Sequence, residues 1–166
     1  MPSKNRRYSL KSKETKQILS EASQRLKLDL DSLFGSKANI EVVESEVGQI
    51  YLINAKPLMF KNDCFLPLLG FTEFVNAAPK ITVDMGAIPF VCKGANVMAP
   101  GIRKVDGEFS QGDLVVVIDE KHGKALAVGE SMLDAATLRE TKKGPVIKTL
   151  HFVSDKYWNE AKQLSE

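Results

Sequence analysis

The sequence predicts a soluble chain that mixes α-helices with β-strands in one or two compact units. Three observations carry that expectation. Ile18, Ala22 and Leu26 recur at four-residue spacing with Leu19 beside them, one apolar stripe on a helix whose other face is charged. From Asn39 the period changes to runs rich in Val, Ile and Tyr, which suit a pleated, half-buried surface. Asn76–Pro79 then interrupts the pattern before a second set of strands, and reads as a boundary between residues 1–78 and 79–166. With 166 residues the chain is long enough for one ordinary core or two small ones. Its 43% hydrophobic and 27% charged composition argues against a disordered or low-complexity chain.

SKETKQILSEASQRLKL, residues 12–28, carries the stripe. LDLDSLFGSK follows as a short helix, with Asp29 or Asp31 as N-cap and Gly35 as its stop. NIEVVESE and QIYLINAK, divided by Val47 and Gly48, read as a hairpin whose sheet Leu58, Met59 and Phe60 extend. CFLPLLGFTEFVNAAPK, punctuated by Pro67 and Gly70, reads as a short helix or an irregular packing segment. Beyond the boundary, ITV is a strand. Asp84 caps a helix over DMGAIPFVCKG, which starts late because of Pro89 and ends at Gly94. NVMAPGIRKVD is a strand broken by Pro100 and Gly101. GEFSQGD turns into DLVVVIDE, whose unbroken apolar run suits a strand buried on both faces, and KHGK turns that strand into ALAVGESML. DAATLRETKKG is a helix capped by Asp134 and closed by Gly144, PVIKTLHFVSD a last strand and DKYWNEAKQLSE a closing helix.

The net charge of +2 does not by itself mark a nucleic-acid binder, but it is unevenly placed. Residues 1–27 hold Lys4, Arg6, Arg7, Lys11, Lys13, Lys16, Arg25 and Lys27 against Glu14 and Glu21, a balance of +6, while the remainder sums to −4. Such an end either meets phosphate without reading sequence or is simply solvated. Cys64 and Cys92, the only cysteines, are too few for a disulfide scaffold and fit a reducing compartment as buried small hydrophobes. Together with His122 and His151 they supply four zinc-ligand types, but neighbours stand about thirty residues apart whereas zinc ligands come in short-spaced pairs, so no metal is expected. His122 belongs to an exposed turn and His151 to a core or sheet edge. Asp84, Asp106, Asp113 and Asp119 each stand at a cap or turn. Lys142 and Lys143 are expected on the last turn of a helix, where they complement its dipole. No carboxylate pair, serine–histidine setting or phosphate-cradling glycine–lysine loop is present, so neither catalysis nor a cofactor is expected. No apolar run approaches the roughly 18 residues of a membrane span. The basic start has no apolar segment behind it, and a cytoplasmic location is expected.

KGANVMAPGI, residues 93–102, admits two layers of meaning. Structurally, Gly94 takes the left-handed conformation after a helix, Val97 and Ile102 face the core, and Pro100–Gly101 bend a strand. Chemically, a glycine lets phosphate or ribose approach backbone N–H groups, Asn96 offers donor and acceptor, and Lys93 supplies charge. Met98 and Ala99 add apolar surface for a ribose or an unstacked base.

The succession of a strand, DMGAIPFVCKGANVMAPGI, GD followed by VVVID, ALAVGESML, a helix ending in KKG and a final strand resembles the PUA domain, an RNA-binding module first named from pseudouridine synthases and archaeosine transglycosylases. PLLGFTEFVNAAPKITVDMGAIPFVCKGANVMAPGI is similar, more closely, to the segment joining the two halves of the malignant T-cell-amplified-sequence protein and its archaeal relatives. The likeness covers nearly the whole chain, with Tyr157 and Trp158 near the usual closing aromatic. It implies an α+β fold: an N-terminal helix–hairpin pre-PUA domain over residues 1–78, then a PUA pseudo-β-barrel over 79–166. It also implies that Lys93, Gly94, Ala95, Asn96, Met98, Pro100 and Gly101 form an RNA groove. The charge balance adds Arg6, Arg7, Lys11 and Lys13 as secondary basic contacts. The function so implied is a non-catalytic RNA-binding adapter in initiation, reinitiation or recycling, holding tRNA or ribosomal RNA on the small ribosomal subunit beside an initiation-factor-like partner. Two alternatives stand beside it: an accessory subunit of an RNA-modifying enzyme, and a protein-only interaction module whose groove has lost RNA.

Overall fold

In the computed structural model, which describes residues 6–35 and 37–165, the amphipathic stripe forms α1 (Ser12–Leu26) and buries Thr15, Leu19, Ala22 and Leu26. Lys4 of the basic start lies outside the described residues. Asp29, not Asp31, caps α2 (Leu30–Phe34): its carboxylate accepts the Ser32 N–H at 3.1 Å, and the helix stops at Gly35. These helices accompany a five-stranded antiparallel sheet in sequence order, β1 (Arg6–Ser9), β2 (Ile40–Ser45), β3 (Gly48–Ile53), β4 (Lys56–Lys61) and β5 (Phe65–Pro67). Asn54 and Ala55 join β3 to β4 with φ of 51° and 70°, the left-handed geometry of a two-residue hairpin turn. Two strands depart from expectation. The charged start forms β1 because β2 offers it a ladder, and Phe65–Pro67 pairs with β4, so only the end of its segment is helical, as α3 (Thr72–Ala77).

The second half is a curled six-stranded sheet made from β6 (Lys80–Val83), β7 (Val97–Met98), β8 (Ile102–Asp106), β9 (Leu114–Asp119), β10 (Ala125–Ser131) and β11 (Pro145–Phe152), in the order β7-β11-β10-β9-β6-β8. The β6–β9 pair is parallel and the other pairs are antiparallel. Asp84 accepts the Ala87 N–H at 2.8 Å and starts a 3₁₀ turn, Met85–Ala87, which leads into α4 (Ile88–Val91) with Pro89 in its first turn. α5 (Ala135–Glu140) is capped by Asp134, which accepts the Thr137 N–H at 2.7 Å. It ends sooner than expected. Thr141 is extended, and its hydroxyl donates to the Thr137 carbonyl at 2.7 Å, so Lys142 and Lys143 lie in the loop before β11, not on the helix. α6 (Lys156–Leu164) closes the chain. Among the described residues no helix is long and apolar enough to cross a membrane.

β9 is buried on both faces, as its unbroken apolar run requires, and each face enters a different core. Val115 and Val117 join Ile81, Val83, Val97 and Ile147 in a core built wholly from the second half. Leu114 and Val116, with Val128 and Tyr157, join Leu19, Ile50, Phe60 and Phe71 in a core that the two halves share. β10 lies so close to β11 that a Cβ at Gly129 would meet Ile147 Cγ2 at 2.4 Å. The halves are fastened by polar contacts too. Arg25 donates to the Gly112 carbonyl at 2.7 Å and to Glu130 at 2.9 Å. His151, fully buried, accepts the Leu69 N–H on Nε2 at 3.1 Å, and its Nδ1 bonds Asp155 Oδ2 at 2.8 Å. The cysteines differ from expectation. Cys64 is exposed at the β4–β5 turn, and Cys92 is half-buried at the end of α4, where burial pushes its thiol up.

Candidate nucleic-acid interface

The segment from Lys93 to Gly101 forms the rim of the second sheet, running from the end of α4 through edge strand β7. Gly94 has φ of 91°, and a Cβ there would sit 3.1 Å from Phe152 Cε1, so glycine is required by both backbone and packing. Its lack of a side chain does not open the backbone to phosphate. The N–H groups of Lys93, Gly94 and Ala95 donate to the carbonyls of Phe90, Val91 and Phe90 at 3.1, 3.0 and 3.0 Å, because the chain leaves the short helix in tight turns. What the rim presents is side chains. Lys93, Ala95, Asn96, Met98 and Pro100 are exposed, Gly94 and Gly101 half-buried, and Ala99 turns into the core.

The rim is held by β11. Asn96 Oδ1 accepts the Thr149 N–H at 3.3 Å, and the Thr149 hydroxyl donates to the Ala95 carbonyl at 2.8 Å. The acceptor of Asn96 is therefore used within the protein, which leaves its amide donors for a ligand. Met98 pairs with Pro145, and the Ala99 N–H donates to the Gly144 carbonyl at 2.9 Å. All seven residues expected in the groove thus share one edge. Met98 is 49% exposed, and two apolar side chains outside the expected set are exposed as well, Phe90 at 66% and Met85 at 40%. The signal for Phe90 lay in its helix: Val91 is buried and Ile88 packs against the second core, which leaves the two residues between them, Pro89 and Phe90, facing out.

The secondary basic residues belong to the other sheet and to α1, and no hydrogen bond or ion pair among the described residues joins them to the rim. Arg7 grips Glu41 through Nε at 2.8 Å and Nη2 at 3.2 Å, and this hydrogen-bonded pairing holds the Glu41 carboxyl below its ordinary range. The Arg6 guanidinium lies 5.2 Å over the Tyr8 ring. Lys11 precedes α1 and Lys13 occupies its first turn, both exposed. Near the rim, Arg103 is engaged by Asp84 at 3.5 Å and Glu120 at 3.2 Å, whereas Lys93 makes no ion pair among the described residues. Cys64, Cys92, His122 and His151 are not brought together, and among the described residues no group of three or more His, Cys, Asp or Glu side chains is placed to hold a metal ion.

Residues 79–153 match the PUA domain family, and residues 6–72 match a domain of unknown function. The chain is 35% identical over 158 residues to an uncharacterized protein of Methanocaldococcus jannaschii, covering 93% of this chain and 96% of that one. It is 34% identical over 139 residues to translation machinery-associated protein 20 of Saccharomyces cerevisiae, covering 78% and 77%. A crystal structure of a PUA domain from Aeropyrum pernix, in complex with tartrate, superposes with a TM-score of 0.86 over 99% of this chain and 95% of that one, a likeness of fold at 24% identity.

Proposed function

Because the chain belongs to the PUA-domain family of translation machinery-associated protein 20 and malignant T-cell-amplified sequence 2, we propose that it is a non-catalytic RNA-binding adapter of the translation machinery whose RNA lands on the rim from Lys93 to Gly101. Family membership carries the adapter role. One observation favours the rim: β11 clamps the loop while the Lys93 ammonium and the Asn96 amide donors stay uncommitted beside exposed Met98. A preorganised edge with a cation, a directed donor and an apolar platform suits phosphate, base edge and unstacked base respectively. The finer assignment is tRNA or ribosomal RNA on the small ribosomal subunit, beside an initiation-factor-like protein. Exposed Met85 and Phe90 support a protein neighbour, since exposed apolar side chains offer area for packing and nothing for phosphate.

Lys93→Glu and Asn96→Ala test the rim. Each is expected to weaken binding of tRNA or ribosomal RNA by about 5- to 10-fold, a hydrogen bond or phosphate contact's worth, with melting temperature unchanged for Lys93→Glu and slightly lowered for Asn96→Ala, which also releases the Thr149 N–H. The lysine change also flattens the dependence of log K on log salt. Full RNA binding by the folded double variant would return the rim to a purely structural role. Co-sedimentation with small ribosomal subunits tests the finer assignment, and absence from that fraction at low salt argues against it.

The basic N-terminal contacts are tested with Arg6, Lys11 and Lys13 changed together to serine. Arg7 is spared because Glu41 already holds it. The triple variant should bind different RNAs equally more weakly, with a salt slope shallower by up to about 0.7–0.9 per lost phosphate contact. An unchanged slope removes these residues from the interface.

A further inference from the structure

The loop that follows α5 faces the same edge as the rim, and its charge is unspent. The Ala99 N–H donates to the Gly144 carbonyl, and Met98 pairs with Pro145, so Lys142 and Lys143 stand immediately beyond the β7 end of the rim. Both are exposed, and neither makes an ion pair among the described residues, not even with Glu140 at the end of α5. Lys93 stands at the opposite end, where Thr149 holds Ala95 and Asn96. From Pro145 to Thr149 the strand advances about 13 Å at about 3.3 Å per residue, so the two cationic ends are separated by the reach of a few nucleotides. Met98 is exposed between them.

We propose that Lys142 and Lys143 form a second phosphate-binding site, so that an unpaired RNA strand crosses edge strand β7 with one phosphate at Lys93, others further along the strand at Lys142 and Lys143, and a splayed base or ribose on Met98. This rests on the RNA reading of the rim and extends it to a footprint. Cation, apolar platform, cation is the order in which phosphate, base and phosphate present themselves along an unpaired strand, whereas a duplex keeps its bases stacked away from such an edge.

The test uses the full chain and a short fluorescein-labelled oligouridylate, with binding followed by anisotropy across a salt series. Lys142→Ser with Lys143→Ser should lower the slope of log K against log salt by about 1.4, two contacts at about 0.7 each for a single strand, and Lys93→Ser by about 0.7. Met98→Ser should weaken binding several-fold at every salt concentration with its slope intact. Melting temperatures should stay unchanged, since these side chains are exposed and unpaired. If Lys93→Ser lowers the slope while the double variant does not, the second site is wrong and the rim stands. If neither variant changes the slope, both this proposal and the RNA reading of the rim fail. An unlabelled RNA duplex that competes as well as the unlabelled single strand overturns the unpaired-strand assignment.

Discussion

Asp155→Ala is expected to remove about 2–5 kcal/mol of stability, because one carboxylate closes three accounts at the junction of the halves. Its Oδ1 accepts the Trp158 N–H at 2.8 Å and caps α6, and its Oδ2 accepts the Phe152 N–H at 3.0 Å. Since the Leu69 N–H occupies Nε2 of His151, the ring proton sits on Nδ1 and donates to Oδ2. Without the carboxylate, that fully buried N–H loses its partner. Urea unfolding checks this, and a loss under about 1 kcal/mol would contradict it. The same group gives a pH signature. Burial pushes its carboxyl up, but the hydrogen bonds from His151 and from the Trp158 and Phe152 N–H groups outweigh burial and hold it below the ordinary range. A carboxyl lowered by folding stabilises above its unfolded pKa, about 3.9, and that contribution is lost as pH falls through the folded value. Asp155→Asn, which keeps a cap, should therefore show a shallower acid loss of stability than the unaltered protein.

Cutting the chain at the boundary should have an asymmetric outcome, on the proposal that residues 1–78 and 79–166 are its two domains. The second core consists entirely of residues beyond the cut, from Ile81 to Ile147, so residues 79–166 should unfold cooperatively on their own, at a lower temperature than the whole chain. The shared core needs Leu114, Val116, Val128 and Tyr157 to close it, so residues 1–78 should show no cooperative transition. Circular dichroism of the two fragments decides it, and the reverse pattern would place the independence in the wrong half.

What could be read from residue order was whatever local chemistry determines. The stripe of α1, the caps at Asp29, Asp84 and Asp134, the stop at Gly94 and the doubly buried β9 each follow from a few adjacent side chains. What escaped depends on partners distant in sequence. RRYS looks like a solvated basic end until β2 supplies its ladder and Glu41 its counter-charge. The free amides expected around Gly94 are closed by carbonyls of the preceding helix, and Phe90 is left outside because Ile88 and Val91 take the inward face of α4. For His151 residue order leaves core and sheet edge open; the structure buries it, and its bond to Leu69 joins residues 82 positions apart, which no periodicity announces.

The division of β9 between two cores sets an order of events during synthesis. When the first 78 residues have left the ribosome, their helices and sheet exist as sequence, yet one wall of their interior is missing until Leu114, Val116 and Val128 arrive. At roughly 5–20 residues per second, that wait is on the order of several seconds. Throughout it, Phe60 lacks the Tyr157 ring that stacks on it with centroids 4.0 Å apart, and the nascent chain presents an incomplete apolar surface. The second half suffers no such delay, because every residue of its own core follows the last residue of the first half. The portion made last is the portion that can finish first, and its completion is what closes the portion made before it.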